Sequence, residues 1–253
     1  MTKQEALFEY LLRQGDDDTM ILGQRLSEWC GHGPILEEDI ALTNIALDLI
    51  GQASELYEYA AQVESKGRTA DDIAFLRLER EYKNVLLVEQ KNGDFGKTIV
   101  RQFLFDNFQL LNYTQLVNST DAQVAAIAEK SLKEVKYHLK HSSEWVIRLG
   151  DGTEESHNRI QESVGDLMRF AEELFFQNEV NDVLQKEGVV GNIEDLKQQY
   201  HQNVNKVLSE ATLTIPEIKY HQKGGRKGVH SEHMGFLLAE MQYMQRTYPG
   251  MEW

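Results

Sequence analysis

Between Glu38 and Val63 the chain sets Leu42, Ala46, Leu49, Ala53, Leu56 and Ala60 three or four residues apart, an apolar stripe along about seven turns of helix. A helix of that length must bury its stripe against partners of similar length, and the sequence supplies them. The glycines and proline of "CGHGP" end a shorter helix near Cys30. After "SKGRTADD", Thr69 or Asp71 caps a predicted second long helix reaching Glu89. "KNGDFG" is a turn, a third helix runs from Lys97 to Val117, and Asp121 caps a fourth that "GDGTEES" stops after Leu149. Further helices are predicted over 158–187, 194–208 and 231–248, and the one β-like run is "ATLTIPEI". Long helices joined by short turns pack antiparallel. The expected fold is all-α: one domain over 1–253, an up-and-down four-helix bundle at about 38–149 with flanking helices.

Composition narrows the function. A net charge of −15 opposes binding to nucleic-acid phosphates. No apolar run approaches the roughly 20 residues of a bilayer crossing. The first residues, "MTKQEALFEYLLRQ", carry acids and lack a signal-peptide core. The single cysteine, Cys30, suits a reducing compartment, so a cytoplasmic protein is expected.

Inward carboxylates in a long bundle suggest a di-iron site, which takes a Glu from each of two helices and Glu-x-x-His from each of the other two. The literal pattern occurs once, as "EESH" at Glu154–His157, beside a glycine turn where capping explains it better. More central are Asp48, Glu79 with Tyr82 three residues on, Asp106 among phenylalanines, and Val135 with His138. Each also has an ordinary reading: Asp48 facing solvent, Glu79 pairing with Arg77 or Lys83, His138 at the edge of the core. Near the C-terminus, Lys223, Arg226 and Lys227 with three glycines form a basic loop before His230 and His233, a candidate contact for an anion or a protein partner. No P-loop or dinucleotide fingerprint is present.

The segments "QRLSEWCGHGPILEEDIALTNIALDLIGQA", "REYKNVLLVEQKNGDF", "KEVKYHLKHSSEW" and "HSEHMGFLLAEMQYMQRTYPG" resemble the C-subunit family of the bacterial phenylacetyl-CoA 1,2-epoxidases, from about Asp17 to the end of the chain. The resemblance implies a ferritin-like fold and a place in a multicomponent oxygenase. In that enzyme the di-iron centre belongs to a homologous A subunit, electrons come through a separate reductase, and the C subunit is a structural partner. No cofactor in this chain is implied. A working site would carry Glu at 48 and near 106, and Glu-x-x-His at 79/82 and 135/138. This chain has Asp48, Asp106, Glu79 with Tyr82, and Val135 with His138. The resemblance therefore implies a degenerate site, with Glu134 out of register. Two other readings stay open: an active oxidase with an altered metal site, and a module that binds an acyl-CoA.

Overall fold

The computed structural model describes residues 1–251, with the backbone alone at 14–16. In chain order, α1 (Lys3–Tyr10) passes through a π-helical stretch (Leu11–Asp17) into α2 (Asp18–Ser27), followed by α3 (Leu36–Glu64) and α4 (Ala70–Phe75). A 3-10 turn (Glu79–Glu81) and α5 (Leu86–Glu89) lead to α6 (Phe95–Leu116), α7 (Ala122–Gly150) and α8 (Glu154–Ala171). A second 3-10 turn (Glu172–Phe175), α9 (Glu179–Lys186), α10 (Ile193–Glu210), a third 3-10 turn (Gly225–Lys227), α11 (Glu232–Met241) and α12 (Tyr243–Thr247) complete the order. The protein is all-α, 73% helix with no strand among the described residues, in keeping with a ferritin-like helical bundle.

The chain forms two compact units. One comprises Met1–Lys91, Glu179–Val183 and Gly224–Trp253; the other comprises Asn92–Asn178 and Leu184–Lys223.

In the second unit α6 is central, packing on α7, α8 and α10. It is buried around most of its circumference, with Ile99, Phe103, Phe105 and Phe108 fully enclosed. Helix α7 shows why sequence patterning works where packing is local. Its buried residues Val124, Ile127, Ala128, Ser131, Val135, His138, Ser142 and Val146 lie mostly three or four positions apart, one face of a helix. Side-chain caps fix the starts of these helices: Asp94 on Lys97 N, Asp121 on Gln123 and Val124 N, Thr153 on Ser156 N, and Asn192 on Glu194 and Asp195 N. Each such cap contributes about 1 kcal/mol.

In the first unit α3 packs against α1, α2, the π-helical stretch and α4, while α11 lies on α2 and the first 3-10 turn. The predicted second long helix is a correction. Thr69 does cap a helix, with Asp72 completing a capping box, but that helix ends at Phe75. Only the 3-10 turn and one turn of α5 follow before Glu89. The cause is remote in sequence. Two buried carboxylates take main-chain amides that a continuous helix would give to its own carbonyls: Asp17 accepts from Lys83 N, and Asp18 accepts from Val85 N at 2.8 Å. Glycines complete the packing, since a side chain at Gly225 would collide with the Asn84 carbonyl and one at Gly228 (φ +72°) with that of Arg80.

Two other predicted helices are also interrupted. The 158–187 prediction divides after Phe175, whose ring sits edge-on to Phe108 and Tyr200 at 5.9 and 5.0 Å before the backbone extends at Phe176. The 231–248 prediction divides at Gln242, whose amide donates to the Arg77 carbonyl and the Tyr82 hydroxyl.

Candidate functional site

Asp106 and His138 meet inside the second unit, at 1% and 0% exposure. The Asp106 carboxylate is occupied on both oxygens: Gln102 Nε2 donates to Oδ1 at 2.6 Å and Ser142 Oγ donates to Oδ2 at 2.8 Å. Burial pushes the carboxyl up to about 6, against the opposing pull of nearby His138 and of the Ser142 and Gln102 hydrogen bonds. Val135 faces the same interior one turn before His138 and brings no donor atom. Glu134 and Tyr137 lie off this buried face.

The other candidate positions belong to the first unit. Asp48 is half-buried on α3. Glu79 stands exposed in the 3-10 turn, so its predicted place on a bundle helix, three residues before a ligand position, does not exist. Tyr82 is fully buried in extended backbone. Its hydroxyl donates to the Ala74 carbonyl and accepts from Gln242, its ring faces the Arg77 guanidinium at 4.2 Å, and burial pushes its pKa up to about 12.

Among the described residues, no group of three or more His, Cys, Asp or Glu side chains could hold a metal ion. A di-iron centre needs four carboxylates and two imidazoles around two cations. Asp106 and His138, with both Asp106 oxygens already accepting hydrogen bonds, do not fit that requirement. "EESH" forms the first turn of α8, where His157 Nδ1 donates to the Gly150 carbonyl at 2.7 Å.

The basic loop is two different things. Lys223 and Lys227 are exposed and His233 is half-buried. Arg226 and His230 turn inward onto acids of this chain. Arg226 is 4% exposed and forks onto Asp18 at 2.6 and 3.1 Å, donating also to the Lys83 carbonyl. His230 Nδ1 lies 2.8 Å from Glu89 Oε2, and Nε2 lies 3.0 Å from the Tyr82 carbonyl oxygen. A carbonyl and an ionised carboxylate both accept, an arrangement that favours a ring donating from both nitrogens. Burial alone would lower its pKa; the Glu89 carboxylate and the Tyr82 carbonyl outweigh it and raise the pKa.

The acids that organise this unit, Asp17, Asp18 and Glu89, were missed as site residues in the sequence. The available signal was "DDDTMIL", acids placed directly against an apolar run with no turn residue between. Glu89 accepts from Ser231 N, Asn84 and His230 on its side chain, and its main-chain carbonyl accepts from Arg25.

The family model for the phenylacetic acid catabolic protein matches residues 1–253. The chain belongs to that family. Among curated proteins it is 45% identical to the C subunit of the 1,2-phenylacetyl-CoA epoxidase of Escherichia coli (strain K12), over 247 residues that cover 98% of this chain and 99% of the relative. In this member of the phenylacetic acid catabolic family, the Asp106 environment predicts a pH signature. The folded carboxyl, near 6, holds its proton to higher pH than the unfolded one at about 4. The contribution of this carboxyl to stability therefore falls as pH rises between roughly 4 and 6, then levels. Asp106→Asn should flatten that window; its amide accepts at one end only, so it gives up the Gln102 or the Ser142 hydrogen bond and the gain at neutral pH stays below the roughly 2–3 kcal/mol that the pKa difference represents. Urea denaturation across the window checks this, and parallel profiles for the two proteins would refute it.

Proposed function

We propose that this chain is the C subunit of a phenylacetyl-CoA epoxidase, a cytoplasmic oxygenase of phenylacetate catabolism, in which it supports a homologous A subunit that carries the di-iron centre. A separate reductase supplies electrons to that assembly. The observation that carries the reading is the end-to-end relationship to an epoxidase C subunit, with neither chain left substantially unmatched. Support for a structural rather than catalytic part comes from the interior of the second unit. There Val135 stands one turn from His138, and the Asp106 oxygens accept hydrogen bonds from Gln102 and Ser142. No helix among the described residues is long and apolar enough to cross a membrane.

A subunit of this kind acts by packing. Its helices cover a face of the catalytic partner and hold that partner's ligand-bearing helices in register, which preorganises a site this chain does not contain. Two measurements test the reading together. Purified alone from iron-replete cells, the chain is expected to hold far less than one iron per polypeptide. Co-expressed with the A subunit, it is expected to co-purify as a hetero-oligomer. About two irons per chain, lost in His138→Ala, would instead establish a second active centre here.

A further inference from the structure

The seam between α6 and α7 holds more polar groups than it pairs. Gln102, Asp106 and Gln109 occupy positions i, i+4 and i+7 of α6, and Ser131, His138 and Ser142 share the inward face of α7. All six are at most 1% exposed. The Ser142–Asp106 hydrogen bond, 2.8 Å, fixes the register. The helices run antiparallel across a short turn, so Gln109 falls level with the turn of α7 that contains Val135 and His138.

Gln102 uses its amide nitrogen on Asp106, but its Oε1 meets no donor among the described residues. Gln109 meets none at either end of its amide, and Ser131 Oγ also stands without a protein partner. A glutamine amide offers two acceptor sites and two donor hydrogens. Leaving all of them bare in an apolar interior is among the most unfavourable arrangements a folded chain can adopt. Apolar cavities stay dry, but a polar one with several hydrogen-bonding groups holds water, and interiors carry about one buried water per 27 residues.

We propose that Gln109, on the buried surface of α6, is an interior hydration site, in which ordered water binds both ends of its amide. The ligand is water itself. Gln109 is the anchor because both ends of its amide are buried and neither meets a hydrogen-bonding group among the described residues. The site is distinct from the Asp106–Ser142 contact, which is closed by protein groups on both oxygens.

A crystal structure at a resolution that orders interior water tests this directly. Density within hydrogen-bond distance of Gln109 Oε1 or Nε2 is the expected result. A Gln109 amide bonded to protein groups alone, with no water beside it, overturns the proposal. Gln109→Met gives an independent readout, since methionine fills similar space without polar atoms. If the partner is water, the variant releases it to solvent and Tm is unchanged or raised. A fall of several degrees in Tm would mean that a protein group had lost its partner, and would also overturn the proposal.

Discussion

Arg226→Met is expected to lower the free energy of unfolding by about 3–5 kcal/mol, a large share of the roughly 5–15 kcal/mol that a folded protein has in total. The guanidinium forks onto Asp18 and also donates to the main-chain carbonyls of Arg13 and Lys83. Without it the Asp18 carboxylate, at 0% exposure, keeps the Val85 amide as its one hydrogen-bond donor among the described residues. Burial already pushes this carboxyl up to about 6, with Arg226 pulling the other way. In the variant that pull is gone and the pKa climbs further. The folded variant then holds its proton to a higher pH than the parent does, so the deficit should shrink as pH falls from the variant's raised pKa toward about 6, and change little below that, where both folded proteins are protonated at Asp18. Denaturation of the single and double variants, Arg226→Met with and without Asp18→Asn, measures the coupling. A loss below about 1 kcal/mol would show that the pair contributes no more than an exposed one.

Arg77→Met should cost a similar amount, about 3–5 kcal/mol, through a different arrangement. Arg77 is 4% exposed and donates to both oxygens of Asp17, to the carbonyls of Ile73 and Glu81, and to the Tyr57 hydroxyl. Its flat cation also lies against the Tyr82 ring. Arg77→Lys keeps the charge but cannot reproduce the fork or the stacking, so it should recover only a minor part of the loss. Recovery of most of the stability by lysine, in the same denaturation experiment, would show that charge alone matters at this position. Asp17 and Asp18 are adjacent in sequence, so the Arg77 and Arg226 variants are expected to be non-additive.

These two arginines also mark the limit of what the sequence reveals. The α3 stripe and the inward face of α7 were legible because the residues that specify them lie within one or two turns of each other. Val135 and His138, singled out in the sequence as more central positions, fall on the buried face of α7. The stretch from Arg77 to Val85 was not legible. Its helical pattern is overridden by Asp17 and Asp18, 60 or more residues away, and Glu79 ends up exposed as a result. The inward turn of Arg226 was not legible either. Counting Lys223, Arg226 and Lys227 gives a positive segment, but only the fold reveals that Arg226 faces a buried acid. The local charge of a segment says nothing about the sign of what it meets.

The contact between Asp18 and Arg226 joins residues 208 positions apart. Chains grow on the ribosome at about 5–20 residues per second, so roughly 10–40 s separate the synthesis of the acid from that of its partner. Closing so long a loop is also slow on entropic grounds. For that interval the amino-terminal acids have no Arg226 to meet, and the first unit cannot reach its final arrangement. A nascent chain halted just before Gly224 should therefore remain open to protease near residues 77–85, and become resistant only once the last helices have emerged.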